Sequence, residues 1–177
     1  MNDDIVLEEE AIADERAAEA IRLGAALLNE PIRALATLKP AIAVPPTVSV
    51  RDAITRMNEG RVGCVLIEDG GRLVGIFTER DVLTKVAGTD VDVDHEQVRA
   101  LMTPDPECLR QDDRTAYALN RMTVGGFRHI PLVDEDGRSV GVVSMRNVVE
   151  YFVDVFRQEV LNLPPQPRPQ YRDREGA

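Results

Sequence analysis

Gly75-Ile76-Phe77-Thr78-Glu79-Arg80-Asp81 and Gly141-Val142-Val143-Ser144-Met145-Arg146-Asn147 are one phrase written twice, 66 residues apart. Each runs from a glycine through two apolar residues to a hydroxyl, and three residues later to an acid or an amide. Apolar residues ending at Thr or Ser read as a strand passing into a helix, with the hydroxyl as N-cap. Working backwards, Leu73 to Phe77 and Val140 to Val143 are second strands of hairpins. Their turns are Asp69-Gly70-Gly71 and Asp134-Glu135-Asp136-Gly137, which supply residues suited to positive φ. The first strands are Cys64 to Ile67 and Ile130 to Val133. Pro131 lacks an N–H to donate, which places it at a strand's start or on an edge.

Further upstream each copy has a helical stretch, Val50 to Asn58 and Thr115 to Thr123, and a short β segment around 41–44 and 107–110. The lead-ins match as well. Ile32-Arg33-Ala34-Leu35-Ala36-Thr37 answers Val98-Arg99-Ala100-Leu101-Met102-Thr103, and Pro40 answers Pro106. The unit is β-α-β-β-α, doubled, which makes the fold class α+β. The expected division is an N-terminal helix (1–31), a first motif (32–95), a second (96–163) and a Pro-rich, disordered tail (164–177). An apolar stripe of Ile12, Ala17, Ile21, Gly24 and Leu28 marks the N-terminal helix, from Leu7 to Asn29. Val149, Phe152, Val153, Phe156 and Val160 mark one face of the last helix, expected to reach Asn162.

Composition excludes several functions. The formal net charge is -10, and nucleic acids are bound largely through Lys and Arg on phosphates, so no nucleic-acid partner is expected. Cys64 and Cys108 have no paired spacing and read as structural thiols. His95-Glu96 lacks a second His four residues on. The run Asp90 to Asp94 lacks the Gly and Glu of a calcium loop. No nucleophile-base arrangement is recognisable, so no enzymatic activity, metal site or required cofactor is expected. The acidic N-terminus is not a signal peptide, and no apolar run reaches the ~20 residues a membrane helix needs. A cytoplasmic protein with no membrane partner is expected.

The chemistry sits at the junctions. Gly75 permits close backbone approach. Thr78 lies where a helix begins, beside N–H groups and a positive dipole end that favour an anionic oxygen. Asp81, one turn on, can accept both hydroxyls of a ribose diol. The layout suits a nucleoside with a phosphate chain.

These doubled junctions, together with Arg128-His129-Ile130-Pro131-Leu132-Val133-Asp134, strongly resemble the cystathionine beta-synthase (CBS) domain family. Two in tandem resemble a Bateman module, and the likeness covers roughly Ile32 to Glu159. It implies a pseudo-twofold disc whose cleft binds an adenosine-containing regulatory ligand such as AMP, ATP or S-adenosylmethionine. By that resemblance Asp81 holds the ribose hydroxyls and Thr78 contacts phosphate or ribose, with Ser144 and Asn147 equivalent in a second site. Cys64, Val65, Ile130 and Pro131 line adenine slots, and Arg128 and His129 meet phosphate, helped by Arg80 or Arg146. A homodimer that signals to an unknown effector protein is implied; the alternative is a ligand-free interaction scaffold using the N-terminal helix or the tail.

Two departures make the copies unequal. Asn147 stands where the first copy has an acid, and Val62-Gly63 is read opposite Arg128-His129. One dominant site around Asp81 is therefore expected, with the Asn147 site weaker or empty, and a single ligand drawing on residues of both copies.

Overall fold

The buried residues of helix α2 (Val50–Gly60) are Val50, Ala53 and Met57, and those of α5 (Thr115–Gly125) are Thr115, Ala118 and Met122. Steps of three and four place each set on one stripe facing its core. Ser49 caps α2, its side chain accepting from the Asp52 N–H at 3.1 Å. Both helices end on a left-handed residue, Arg61 (φ 49°) and Gly126 (φ 69°). These features come from a computed structural model, which describes residues 15, 18–19, 21–35 and 41–156.

In the first copy, β1 (Ala43–Val44) runs parallel to β2 (Cys64–Asp69), which pairs antiparallel with β3 (Arg72–Thr78). The hairpin turn uses Gly70 and Gly71 at φ 56° and 78°. Strand β3 leads into α3 (Glu79–Asp81), which continues as a π-helical turn over Val82–Val86. In the second copy, β5 (His129–Val133) pairs antiparallel with β6 (Ser139–Ser144), and α6 (Met145–Val155) follows. Leu109 bridges Leu132 in parallel, in the place β1 takes in the first copy. Pro131 lies mid-strand and not at its start. Its carbonyl accepts from the Leu109 N–H, so its missing N–H faces an edge that carries only that single bridge.

Alternate strand residues face opposite ways. Val65 and Ile67 enter the first copy's core with Phe77, and Ile130 and Leu132 enter the second's with Val143. Cys64, Leu66 and Ile76 turn the other way and meet Val142 of the second copy.

The lead-ins are exchanged. Ile32, in a 3-10 turn (Ile32–Ala34), is fully buried in the second copy's core beside Ala118 and Met122. Val98, opening α4 (Val98–Leu101), is fully buried in the first copy's core beside Val50 and Ala53. The backbone fastens each in the same way: the Ile32 N–H donates to Asp113 O at 2.8 Å and the Val98 N–H to Val48 O at 2.9 Å. Strand β4 (Thr103–Pro104), not anticipated from the sequence, extends the crossover by pairing with β3. Each copy's core is thus completed by the segment that precedes the other.

The stripes of the flanking helices are corrected. In α1 (residues 21–29) Leu27 is buried, Gly24 and Leu28 are half-buried, and Ile21 is 73% exposed. In α6 it is Val148 that is buried, with Tyr151 and Phe152 packed on the same core, whereas Val149 is exposed. Ile12, Ala17, Val160 and the Pro-rich tail lie outside the described residues, and no described helix is long and apolar enough to cross a membrane.

Candidate functional site

Both junctions form reciprocal capping boxes. In the first, Asp81 Oδ2 accepts from the Thr78 N–H at 2.9 Å and from Thr78 Oγ1 at 2.7 Å, while Thr78 Oγ1 accepts from the Asp81 N–H at 3.3 Å. In the second, Asn147 Oδ1 accepts from the Ser144 N–H at 2.8 Å and from Ser144 Oγ at 2.6 Å. An amide oxygen caps as a carboxylate does. The charge of Asp81 is therefore surplus to capping, and it meets Lys85 Nζ at 2.7 Å from Oδ1. Lys85 also donates to Leu101 O at 2.7 Å, holding the π-helical turn against α4. A carboxylate has about four acceptor positions. Three are taken, so a diol bound in bidentate fashion would displace Lys85.

Two cavities lie along the seam between the copies. The first, about 360 Å³, places Thr78, Arg80 and Asp81 opposite Phe127, Arg128 and His129. The second, about 780 Å³, places Cys64 and Arg61 opposite Ser144, Arg146 and Asn147. Gly63, Glu79, Arg128 and His129 belong to both walls. Their closeness needs Gly63, since a Cβ there would lie 2.8 Å from His129 Nε2. Burial lowers the His129 pKa below the usual 6.5 and Arg128 adds to this, against the opposing pull of Glu79. Burial likewise pushes the Cys64 thiol up to about 12, with Glu79 contributing. The histidine and the thiol both favour their neutral forms.

The expected site residues do not all meet. Gly75, Val65, Ile130 and Pro131 line neither cavity. Neighbouring strand residues point to opposite faces, so Cys64-Val65 or Ile130-Pro131 cannot line one slot together; Val65 and Ile130 are core. Gly75 does permit a close approach, but of protein: a Cβ would lie 2.3 Å from Met102 Sδ. Arg80 donates to Gly126 O at 2.6 Å across the first cavity's rim, and Arg146 pairs with Glu150 at 2.9 Å.

The strand alignment also changes. The Glu79 N–H donates to Gly63 O, and the Met145 N–H to Arg128 O. Cys64 faces Thr78 as His129 faces Ser144. Gly63-Cys64, and not Val62-Gly63, therefore corresponds to Arg128-His129, because the longer second turn absorbs one residue. By the same offset Arg61 corresponds to Gly126. Arg61, Glu79 and Asp105 were not anticipated from the sequence. The signal for Arg61 was available, in an arginine at the helix end where the other copy has the glycine expected of a left-handed cap.

Residues 32–88 and 98–154 each match the CBS domain. The chain belongs to the CBS-domain family. An uncharacterized 17.7 kDa protein of Acidianus ambivalens is 34% identical over 126 residues, 71% of this chain and 74% of that one. CBS domain-containing proteins of Arabidopsis thaliana that the pair matches are longer, and the match spans 19% of one of them. Among solved structures, a CBS domain protein from Pyrobaculum aerophilum complexed with AMP is 25% identical with a TM-score of 0.63, over 75% of this chain and 99% of that one. The CBS domain pair of protein MJ0100, in complex with 5-methylthioadenosine and S-adenosyl-L-methionine, shares the fold at 22% identity and a TM-score of 0.61, over 69% of this chain and 98% of that one.

Proposed function

We propose that this CBS pair is a non-catalytic regulatory module, which binds an adenosine-containing ligand between its copies and passes the change to a partner protein. The observation that carries the reading is the first cavity, where Thr78 and Asp81 of one copy face Arg128 and His129 of the other. A ligand spanning that gap interacts differently with closed and open arrangements of the copies, and only such a difference can shift a population. The AMP and S-adenosylmethionine complexes of related pairs support the ligand class. Asp81 and Asn147 are the proposed ribose partners, and Arg128 and His129 the proposed neighbours of phosphate. A homodimer is supported by Leu83 and Val149, 71% and 53% exposed at matching places on the helical segments that follow the two junctions.

Thermal denaturation with AMP, ATP and S-adenosylmethionine tests the reading. A ligand at 100 times its Kd adds about 2.7 kcal/mol of stability and raises Tm. No shift with any of the three would contradict it and favour a ligand-free scaffold.

A further inference from the structure

The two cavities differ in charge. The first carries Glu79, Asp81, Asp105 and Glu107 against Arg80 and Arg128. Lys85 and Arg121 answer two of these acids, at 2.7 Å from Asp81 and 2.9 Å from Glu107. Arg80 is already committed to the Gly126 carbonyl. The second cavity carries Arg61, Arg128 and Arg146 against Glu79 and Glu150, and Arg146 and Glu150 satisfy each other. With these pairs set aside, the first cavity has no surplus positive charge and the second has a surplus guanidinium. Neither Arg61 nor Arg128 makes a side-chain hydrogen bond or ion pair with another described residue.

Arg61 stands out on a second ground. It holds φ 49° and ψ 47° at the end of α2, where the matching residue Gly126 holds φ 69°. A residue with a Cβ is sterically disfavoured in that region, and such positions concentrate at functional sites. The backbone here would be better served by glycine, yet a long cation occupies the position and lines the larger cavity. Guanidinium groups match phosphate oxygens in geometry and charge.

We infer that the two cavities divide ligands by charge. The second takes the phosphate chain of a nucleoside triphosphate on Arg61 and Arg128. The first takes an adenosine group that carries no phosphate chain, held at Thr78 and Asp81. The division rests on the reading that the cleft binds adenosine ligands, and it replaces the expectation of a weak or empty second site.

Calorimetric titration of the full chain with ATP and with adenosine tests this. Arg61→Gly removes the cation and suits the left-handed backbone, so the fold survives. It weakens ATP about tenfold or more, the scale of a lost charged hydrogen bond, and leaves adenosine unchanged. Asp81→Asn keeps a capping oxygen, as Asn147 does, and weakens adenosine while ATP holds. Equal weakening of both ligands by either variant, or unchanged ATP affinity in Arg61→Gly, overturns the division while the proposed function stands. A wild-type chain that binds neither probe nor AMP overturns both.

Discussion

The two strand-to-helix junctions have the same geometry and different charge. Thr78 with Asp81 and Ser144 with Asn147 make the same three capping hydrogen bonds, within 0.1 Å of each other. Only Asp81 adds an ion pair, to Lys85; the place of Lys85 in the second copy is held by Tyr151. A repeat can therefore keep its backbone solution while its side chains diverge. What capping requires is a hydroxyl and an acceptor oxygen, and the charge on that oxygen is left open to other uses.

The largest expected effect concerns the crossover that makes the copies depend on each other. Ile32 and Val98 occupy matching places, each fully buried in the core of the copy it does not precede. Ile32→Ala deletes apolar volume from the second copy's core and costs about 2–4 kcal/mol, read as a lower urea midpoint with one unchanged transition. Val98→Ala does the same to the first copy, with a smaller loss. A cost under about 1 kcal/mol for Ile32→Ala would show the lead-in to be a tether and not part of the core.

A smaller effect separates capping from charge at the junctions. Asn147→Ala removes a cap partner and costs about 1 kcal/mol. Asp81→Ala removes the equivalent cap and also the Lys85 pair, for about 2 kcal/mol in all. Equal losses in chemical denaturation would mean that the acid contributes nothing beyond its cap.

The smallest concerns the matched positions Cys64 and His129, which hold neutral groups at the seam. Burial lowers the His129 pKa from 6.5, so the unfolded chain binds a proton more readily than the folded one. The stability this residue permits is complete above pH 6.5 and is lost as pH falls from there towards the depressed folded value. His129→Gln flattens that part of the stability profile between pH 7 and pH 5. An unaltered acid limb in the variant would place the dependence elsewhere.

Much of the fold was legible because its signals are local. Hydroxyl caps, Gly-containing turns and three- and four-residue apolar steps located the helices and hairpins of both copies. The crossover was not legible, since Ile32 and Val98 read alike as the start of their own copies, and nothing local says which core an apolar residue joins. The site was legible in part. Thr78, Asp81, Arg128 and His129, named from the two copies, line one cavity. The apolar slots failed on strand alternation: Cys64 faces the seam and its neighbour Val65 faces the core. The strand offset failed because turn length was not read against hydrogen-bond register.

The central claim is that one ligand is held by residues of both copies. A crystal structure of the protein with AMP tests it directly. The account predicts the nucleotide at the seam, in contact with the junction residue Ser144 of the second copy and with Arg61 contributed by the first. A nucleotide touching residues of a single copy, or bound away from the seam, would contradict it.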